Sequence, residues 1–485
     1  MRASGLKHIH LELAGAIAVA LVLLMLSIEI VSPIWSVCAF MLYIWICTVF
    51  VRLQTRGVVL ILPLMITSAS VVVALSMIEF GLPIPELDTV GSPGSYTISF
   101  VLYETVFLLA FAGLFAALNP PSGAPPSVFQ SRVQSLYAQF TGPIALGILA
   151  FAVLNILILL AFGAMTGFPL LTGTDRFVYR RMMGNVVILY LLNFKSICAF
   201  LIGFGAFVVA RNPAIKLALI LCFTLLSFVY FLFGDKFFTI LSAVASFLAP
   251  WLYLNHETVR KRLALFAIGG AILAVPASAI TWMIYSGFGQ SSTYETSQRL
   301  SGRIVGQGEL WYIQSKVGAN AWQWDSLLIQ RNIESLFIKD ADLNALRASI
   351  GPHYFSDRYA PDKIRASIHR NAGTTTYTMA LEPLGLVMFG WAGLVILKAL
   401  CGGLAALLAT YLSWAIRTGS ILSAAFASYV FVQLTYFFRQ GSPWVFFGIY
   451  ALRWDVVILM FELAVVLLVM SQTPKPTSRR HPQWR

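Results

Sequence analysis

The chain has 485 residues, of which 59% are hydrophobic and 11% charged, and its mean hydropathy is +0.80. Soluble domains carry about 25% charged residues, so most of this sequence has lipid as its solvent and a soluble globular enzyme is excluded. The net charge of +13 and the pI near 9.6 do not point to nucleic acid, because the basic residues gather at span ends and in one loop and form no RNA- or DNA-binding motif.

The length holds roughly 10 to 14 spans of about 20 residues each. Cys38, Cys47, Cys198, Cys222 and Cys401 all lie in apolar runs without metal-like spacing, so they read as small core hydrophobes. The first apolar run, 11–31, follows Arg2 and Lys7 and reads as an uncleaved signal anchor, since no small-residue cleavage site stands out. Span two, 34–51, ends on Arg52 and Arg56, which places that turn and the N-terminus in the cytoplasm. Span three, 58–78, exits into 81–96, a Pro/Gly-rich turn with acids but no Lys or Arg, hence outside. Span four, 98–118, returns to a Pro-rich linker at 119–135.

Span five, 143–165, leads out to a turn where Arg176, Arg180 and Arg181 stand on the side that the charge rule leaves poor in basic residues. Span six, 185–210, carries Lys195 inside its apolar run. Pairing with Glu104 of span four is one account of that lysine, and a place in a substrate cavity is the other. Spans seven (217–233) and eight (237–254) meet outside at Gly234-Asp235-Lys236, and span eight ends inside at Arg260, Lys261 and Arg262. Span nine, 263–285, then goes out and leaves the polar interval 286–373 extracytoplasmic. Structureless loops longer than about 15 residues are uncommon, so this one is expected to fold into a small helical cap.

Residues 374–416 form either one long span preceded by a short, partly inserted helix or two short spans. Arg417 and the basic tail (Arg479, Arg480, Arg485) share the inner side only if it is one, and Arg439 then lies outside. The expected fold is therefore an all-α polytopic integral membrane protein with about 12 transmembrane helices and both termini cytoplasmic. It divides into an N-terminal bundle (1–285), a large periplasmic loop or cap (286–373), C-terminal helices (374–470) and a basic cytoplasmic tail (471–485). No internal repeat is visible, which disfavours a secondary transporter built from paired repeats.

On this topology the unusual cations fall on one side. Arg176, Arg180, Arg181, Lys236, Arg303, Arg358, Arg365, Arg370 and Arg439 lie at outer span ends or in the outer loop. Lipid-headgroup contact is the plain explanation for any one of them. Together they point to an anionic, lipid-linked substrate whose phosphate lies at the outer leaflet, because arginine grips phosphate bidentately and charge at membrane level marks substrate paths. Trp311, Trp324 and Tyr359 in the loop suit stacking on sugar rings, although an interfacial aromatic belt accounts for them equally.

His369, beside Arg365 and Arg370, is the first candidate base, since neighbouring arginines keep an imidazole neutral. His353 is a second, and Glu309, Asp325 and Glu382 are the carboxylate alternatives. Glu382 falls in an apolar helix, where it must be paired or functional. No metal-ligand constellation, nucleotide-binding loop or nucleophile elbow appears, so the expected chemistry uses an activated donor without metal or cofactor.

Many spans, one large outer loop near the C-terminal third and arginines at outer turns resemble the Wzy-type O-antigen and oligosaccharide repeat-unit polymerases. The local features are Asp175-Arg176-Phe177-Val178-Tyr179, Gly234-Asp235-Lys236, Ser301-Gly302-Arg303, His369-Arg370-Asn371 and Glu382-Pro383-Leu384-Gly385. The resemblance implies a C-type glycosyltransferase of the bacterial inner membrane that moves a growing glycan from undecaprenyl pyrophosphate onto a new lipid-linked repeat unit. It also implies a chain-length regulator protein as a possible partner. Arg176, Lys236, Arg303 and Arg365 would then hold the pyrophosphate, and His369, or else Glu382, would deprotonate the acceptor hydroxyl for inverting displacement. The related O-antigen ligases carry His, then Asn, Ser or Gln, then Gly about ten residues on. Here Arg370 follows His369 and the next matching glycine is Gly385, which lowers the ligase alternative. From a different class, a lipid-linked oligosaccharide flippase or other transporter shares the span count.

Overall fold

The computed structural model describes residues 2–119, 128–172, 179, 185–234, 237–262, 292–337, 350–362, 365–366 and 379–448, with isolated positions at 282, 286, 457, 460 and 464. Over these residues the chain is nearly all helical. The bundle begins with α1 (Arg2–Glu29), α2 (Ile34–Val58), α3 (Leu62–Glu79) and α4 (Tyr96–Leu118), with a two-stranded hairpin, Pro83–Ile84 against Thr89–Val90, between the last two. There follow α5 (Val128–Gln139), α6 (Thr141–Thr166), α7 (Pro169–Thr172), α8 (Val186–Asn193), α9 (Lys195–Phe204), α10 (Pro213–Leu232), α11 (Phe237–Leu254) and α12 (His256–Lys261). Four polar helices come next: α13 (Thr293–Val305), α14 (Glu309–Val317), α15 (Ser326–Glu334) and α16 (Pro352–Tyr359). The chain then returns to apolar sequence in α17 (Leu381–Thr418), α18 (Ile421–Gln440) and α19 (Trp444–Phe447).

Among the described residues, eight helices are long and apolar enough to cross a membrane, and a ninth crossing is made if the bent pair Val187–Asn193 and Lys195–Val209 counts as one. Ile240–Leu254 is a shorter apolar helix. The spans expected at 263–285 and beyond 448 lie outside the described residues.

The polar helices start where side chains satisfy the first free N–H groups. Ser292 and Glu295 form a reciprocal capping box at α13, and the Asp325 carboxylate accepts from Leu328 N at α15. Asn212 followed by Pro213 opens α10, and Ser420 opens α18.

Between lipid-facing helices the hydrophobic effect supplies little, so close approach of small residues does the packing. The most extensive helix pair, α4 with α17, shows this. Gly402, Ala405, Ala406 and Ala409 share one buried face of α17. A Cβ on Gly402 would stand 2.3 Å from the Phe107 carbonyl oxygen, so only glycine lets the two backbones meet there.

The two ends of the bundle differ. At one, the Arg56 Nε donates to His256 Nε2 at 2.9 Å, while His256 Nδ1 faces the Tyr253 carbonyl at 3.1 Å. Burial and the Arg56 guanidinium hold that imidazole below its ordinary pKa, so it is neutral. Arg417 reaches Asn119 at the same end. The opposite end carries the hairpin, the start of α4, the start of α17 and the end of α18, and the polar helices are seated on it.

Candidate functional site

The seat of the polar helices is α14. Trp311 is 3% exposed, its Nε1 donates to the Tyr96 carbonyl at 2.9 Å, and its ring meets Phe100 and Tyr103 edge-on. Tyr312 is buried beside it and hydrogen-bonds Ser92 at 2.9 Å. The Trp311 ring is thus consumed by the junction with α4, and the expectation that it stacks on a glycan is corrected: no face of it is open to a sugar. Trp324 is different, being 72% exposed beside Phe389. Tyr359 is half-buried and donates to Gln314 Oε1 at 3.1 Å, tying α16 to α14.

Glu309, in the first turn of α14, is 1% exposed, and its carboxyl meets that of Glu86 in the hairpin. Burial, and then the Glu86 carboxyl of the hairpin facing it, hold Glu309 well above the usual carboxylate range, against the weaker pull of Arg303. Arg303 itself is exposed at the end of α13. The hairpin, α13 and α14 therefore bring together an arginine and two acids at the seam between polar helices and bundle. Glu86 had no signal in the sequence beyond being an acid in an outer turn.

Below the seam α17 is broken. Its 38 residues would be about 57 Å long if straight, against a hydrocarbon core of about 30 Å. Gly390 leaves the helical region, with φ 75° and ψ 179°. Glu382 and Lys398 are 16 residues apart, and a straight helix would separate them by about 24 Å, yet Lys398 Nζ stands 2.9 Å from Glu382 Oε1. The stretch 381–389 must therefore fold back on the rest of α17 as a short re-entrant arm. The described part of 374–416 is thus a short helix folded back on one long one. The residue that enters the arm, Met379, has φ 62°, a left-handed conformation that a methionine adopts only under constraint.

A break in a helix at membrane depth frees backbone groups that protein must satisfy. Here the connection between α14 and α15 does so. Trp391 N donates to the Asn320 carbonyl at 3.2 Å and Ala392 N to that of Ala321 at 3.0 Å. In return Asp325 N donates to the Met388 carbonyl at 3.2 Å, and the Gln323 side chain to that of Leu386 at 2.8 Å. The polar helices thus complete the broken span rather than merely covering it.

The charged groups buried beneath are Lys398, Glu104 and Glu382, all under 8% exposed. Lys398 Nζ donates to Glu104 Oε1 and to Glu382 Oε1, and Ser68 Oγ donates to Glu104 Oε2 at 2.8 Å. The partner of Glu104 is therefore Lys398, not the expected Lys195. Lys195 begins α9, where the bent pair turns by 67°, and lies 5.6 Å from the Tyr230 ring centre.

Of the expected phosphate-binding residues, Arg365 is half-buried. It donates to the Ala360 carbonyl at 3.2 Å and lies 3.6 Å from Asp362. Arg439 ends α18, and its carbonyl accepts from Ala380 N at 3.0 Å, beside the start of the re-entrant arm. Arg365 Nε and Arg439 Nε are both buried without an acceptor among the described residues. His353 is buried at the start of α16, and Asp325 is committed to its cap. Arg176, Arg180, Arg181, Lys236, His369 and Arg370 lie outside the described residues.

A family of unknown function (DUF6418) matches residues 348–453, which hold α16, the re-entrant arm, the remainder of α17 and α18. No curated protein and no solved structure matches the chain.

Proposed function

We propose that the chain is a metal-independent, inverting glycosyltransferase of the bacterial inner membrane. In this role it polymerises undecaprenyl-pyrophosphate-linked repeat units into O-antigen or a related surface polysaccharide at the periplasmic face. The observation that carries it is the pair of buried guanidinium N–H donors, Arg365 Nε and Arg439 Nε, left without an acceptor among the described residues at the end of the bundle that bears the polar helices. Buried donors are nearly always satisfied, so these call for an acceptor that arrives with the substrate. A pyrophosphate at the lipid surface has that charge and that location.

Arg303, Arg365 and Arg439, joined by Arg176, Arg180, Lys236 and Arg370, hold the pyrophosphate and stabilise it as it leaves. His369 or Glu382 takes the acceptor proton. Glu382 is the weaker base of the two, because its carboxylate already accepts from Lys398. Exposed Trp324 is the open aromatic face for the glycan.

A transporter of lipid-linked glycan is the second reading. It is favoured by the breaks at α8–α9 and in α17 and by the charges buried at membrane depth, features that transport pathways share. A deletion strain separates the readings. Single repeats still attached to lipid A, with long glycan lost, support the polymerase; lipid A core with no repeat points to a flippase or a ligase. At residue level, Arg365→Lys and Arg303→Lys should each abolish long glycan at normal protein levels, because lysine cannot reproduce a bidentate grip. Full-length glycan in both variants removes the clamp.

A further inference from the structure

The network of Lys398, Glu104 and Glu382 sets two carboxyls against one ammonium, at positions almost wholly removed from solvent. Fully ionised, it leaves one uncompensated negative charge at membrane depth. Such a charge persists only if something positive neutralises it. Among the described residues, the groups around it offer no second cation. Tyr43 and Cys47 of α2 and Cys401 of α17 are the other titratable neighbours, Ser68 of α3 donates a neutral hydroxyl, and the Phe107 ring lies 5.3 Å from the ammonium.

We propose that this network is a proton-binding site, with a single exchangeable proton carried on Glu382. The hydrogen bonds choose the carrier. Glu104 accepts at both oxygens, from Lys398 and from Ser68, so neither is left to carry a hydrogen. Glu382 accepts from Lys398 at Oε1, which leaves Oε2 to bear the proton. A proton fits better than an alkali cation, because the ammonium already occupies the centre of the oxygen cluster. Two carboxyls and one hydroxyl also fall short of the six or so oxygens that a hard cation takes.

The site spans the break in α17. Glu382 is on the re-entrant arm and Lys398 on the long part, so the Lys398–Glu382 bond pins one against the other. Release breaks the Glu382 O–H bond and passes the proton to water, which must enter between the arm and the 320–325 segment bonded to it. The proton is then held while that segment is seated and exchanged when it lifts. Nothing in this requires glycan transfer, and a protonated Glu382 leaves His369 as the acceptor base of the proposed reaction.

Infrared difference spectra of the protein in lipid at neutral pH, each variant against wild type, count the protonated carboxyls. Glu382→Gln should remove one protonated-carboxyl band. Glu104→Gln should remove the same band, because Glu382 alone then balances Lys398 as a carboxylate. Lys398→Met should instead add one band, since both carboxyls must then be neutral. If the lysine variant fails to fold, the two isosteric glutamine variants decide the matter. Loss of a carboxylate band in Glu382→Gln, with no protonated-carboxyl band lost, overturns the proposal. A sodium-dependent, pH-independent rise in melting temperature that Glu382→Gln abolishes overturns it equally, in favour of a bound alkali cation.

Discussion

Glu309 shows how a single side chain reports on the seam. Its pKa is raised in the folded protein, so folding favours the protonated form. The stability this contributes is complete below the ordinary carboxyl range and is lost as pH rises through the raised value. Glutamine keeps the shape and cannot ionise. Glu309→Gln should therefore melt at a higher temperature than wild type on the alkaline side and show a flatter dependence of melting temperature on pH. Parallel pH curves for the two proteins would mean that Glu309 is ionised in place. Arg303, exposed at the edge of the same cluster, pulls the other way, so neutralising it should raise Glu309 further.

At the scale of elements, the join between polar helices and bundle rests on two contacts that can be broken separately. The first is the turn at Gly390. An alanine there would hold a left-handed φ, and its Cβ would stand 2.4 Å from the Asn320 carbonyl oxygen and 2.8 Å from that of Ala321. The backbone strain alone costs about 1–3 kcal/mol. Gly390→Ala should lower the melting temperature by several degrees and also loosen the 320–325 segment, visible as faster amide exchange there. The second contact is Trp311. Removing a buried tryptophan typically costs about 3–5 kcal/mol. Trp311→Ala should expose the segment 292–337 to limited proteolysis while the apolar spans stay protected. Unchanged cleavage would show that the hairpin and α16 hold the polar helices without it.

The whole molecule is polarised. Arg56, His256, Arg260, Lys261 and Arg417 gather at one end, and the polar helices cover the other. The positive-inside rule makes the first end the expected cytoplasmic one, as the proposed reaction requires. A cysteine placed at exposed position 322 should react with a membrane-impermeant maleimide in intact spheroplasts, and one at 261 only after lysis. The reverse pattern would invert the topology and remove the proposed periplasmic site.

By itself the sequence determined the class of protein and the approximate place of its spans. A 20-residue apolar run has one stable outcome in lipid, and charge bias orients it. It also determined that Glu382 and Lys195 need explanation, because charge within an apolar run must be neutralised. It did not determine which cation meets which acid. Lys195 and Lys398 are both long, both central to their runs and equally able to reach Glu104. Only the packing of α17 on α4, set by the small-residue face at Gly402, brings Lys398 there. Tertiary structure also decided that Trp311 is a peg rather than a platform, and that Gly390 turns α17 back on itself. Both depend on surfaces contributed by residues far away in the chain. The loop at 286–373 read as a cover from its polarity and length. Its role in completing a broken membrane helix follows from backbone hydrogen bonds between 320–325 and 388–392, which no pattern of side chains encodes.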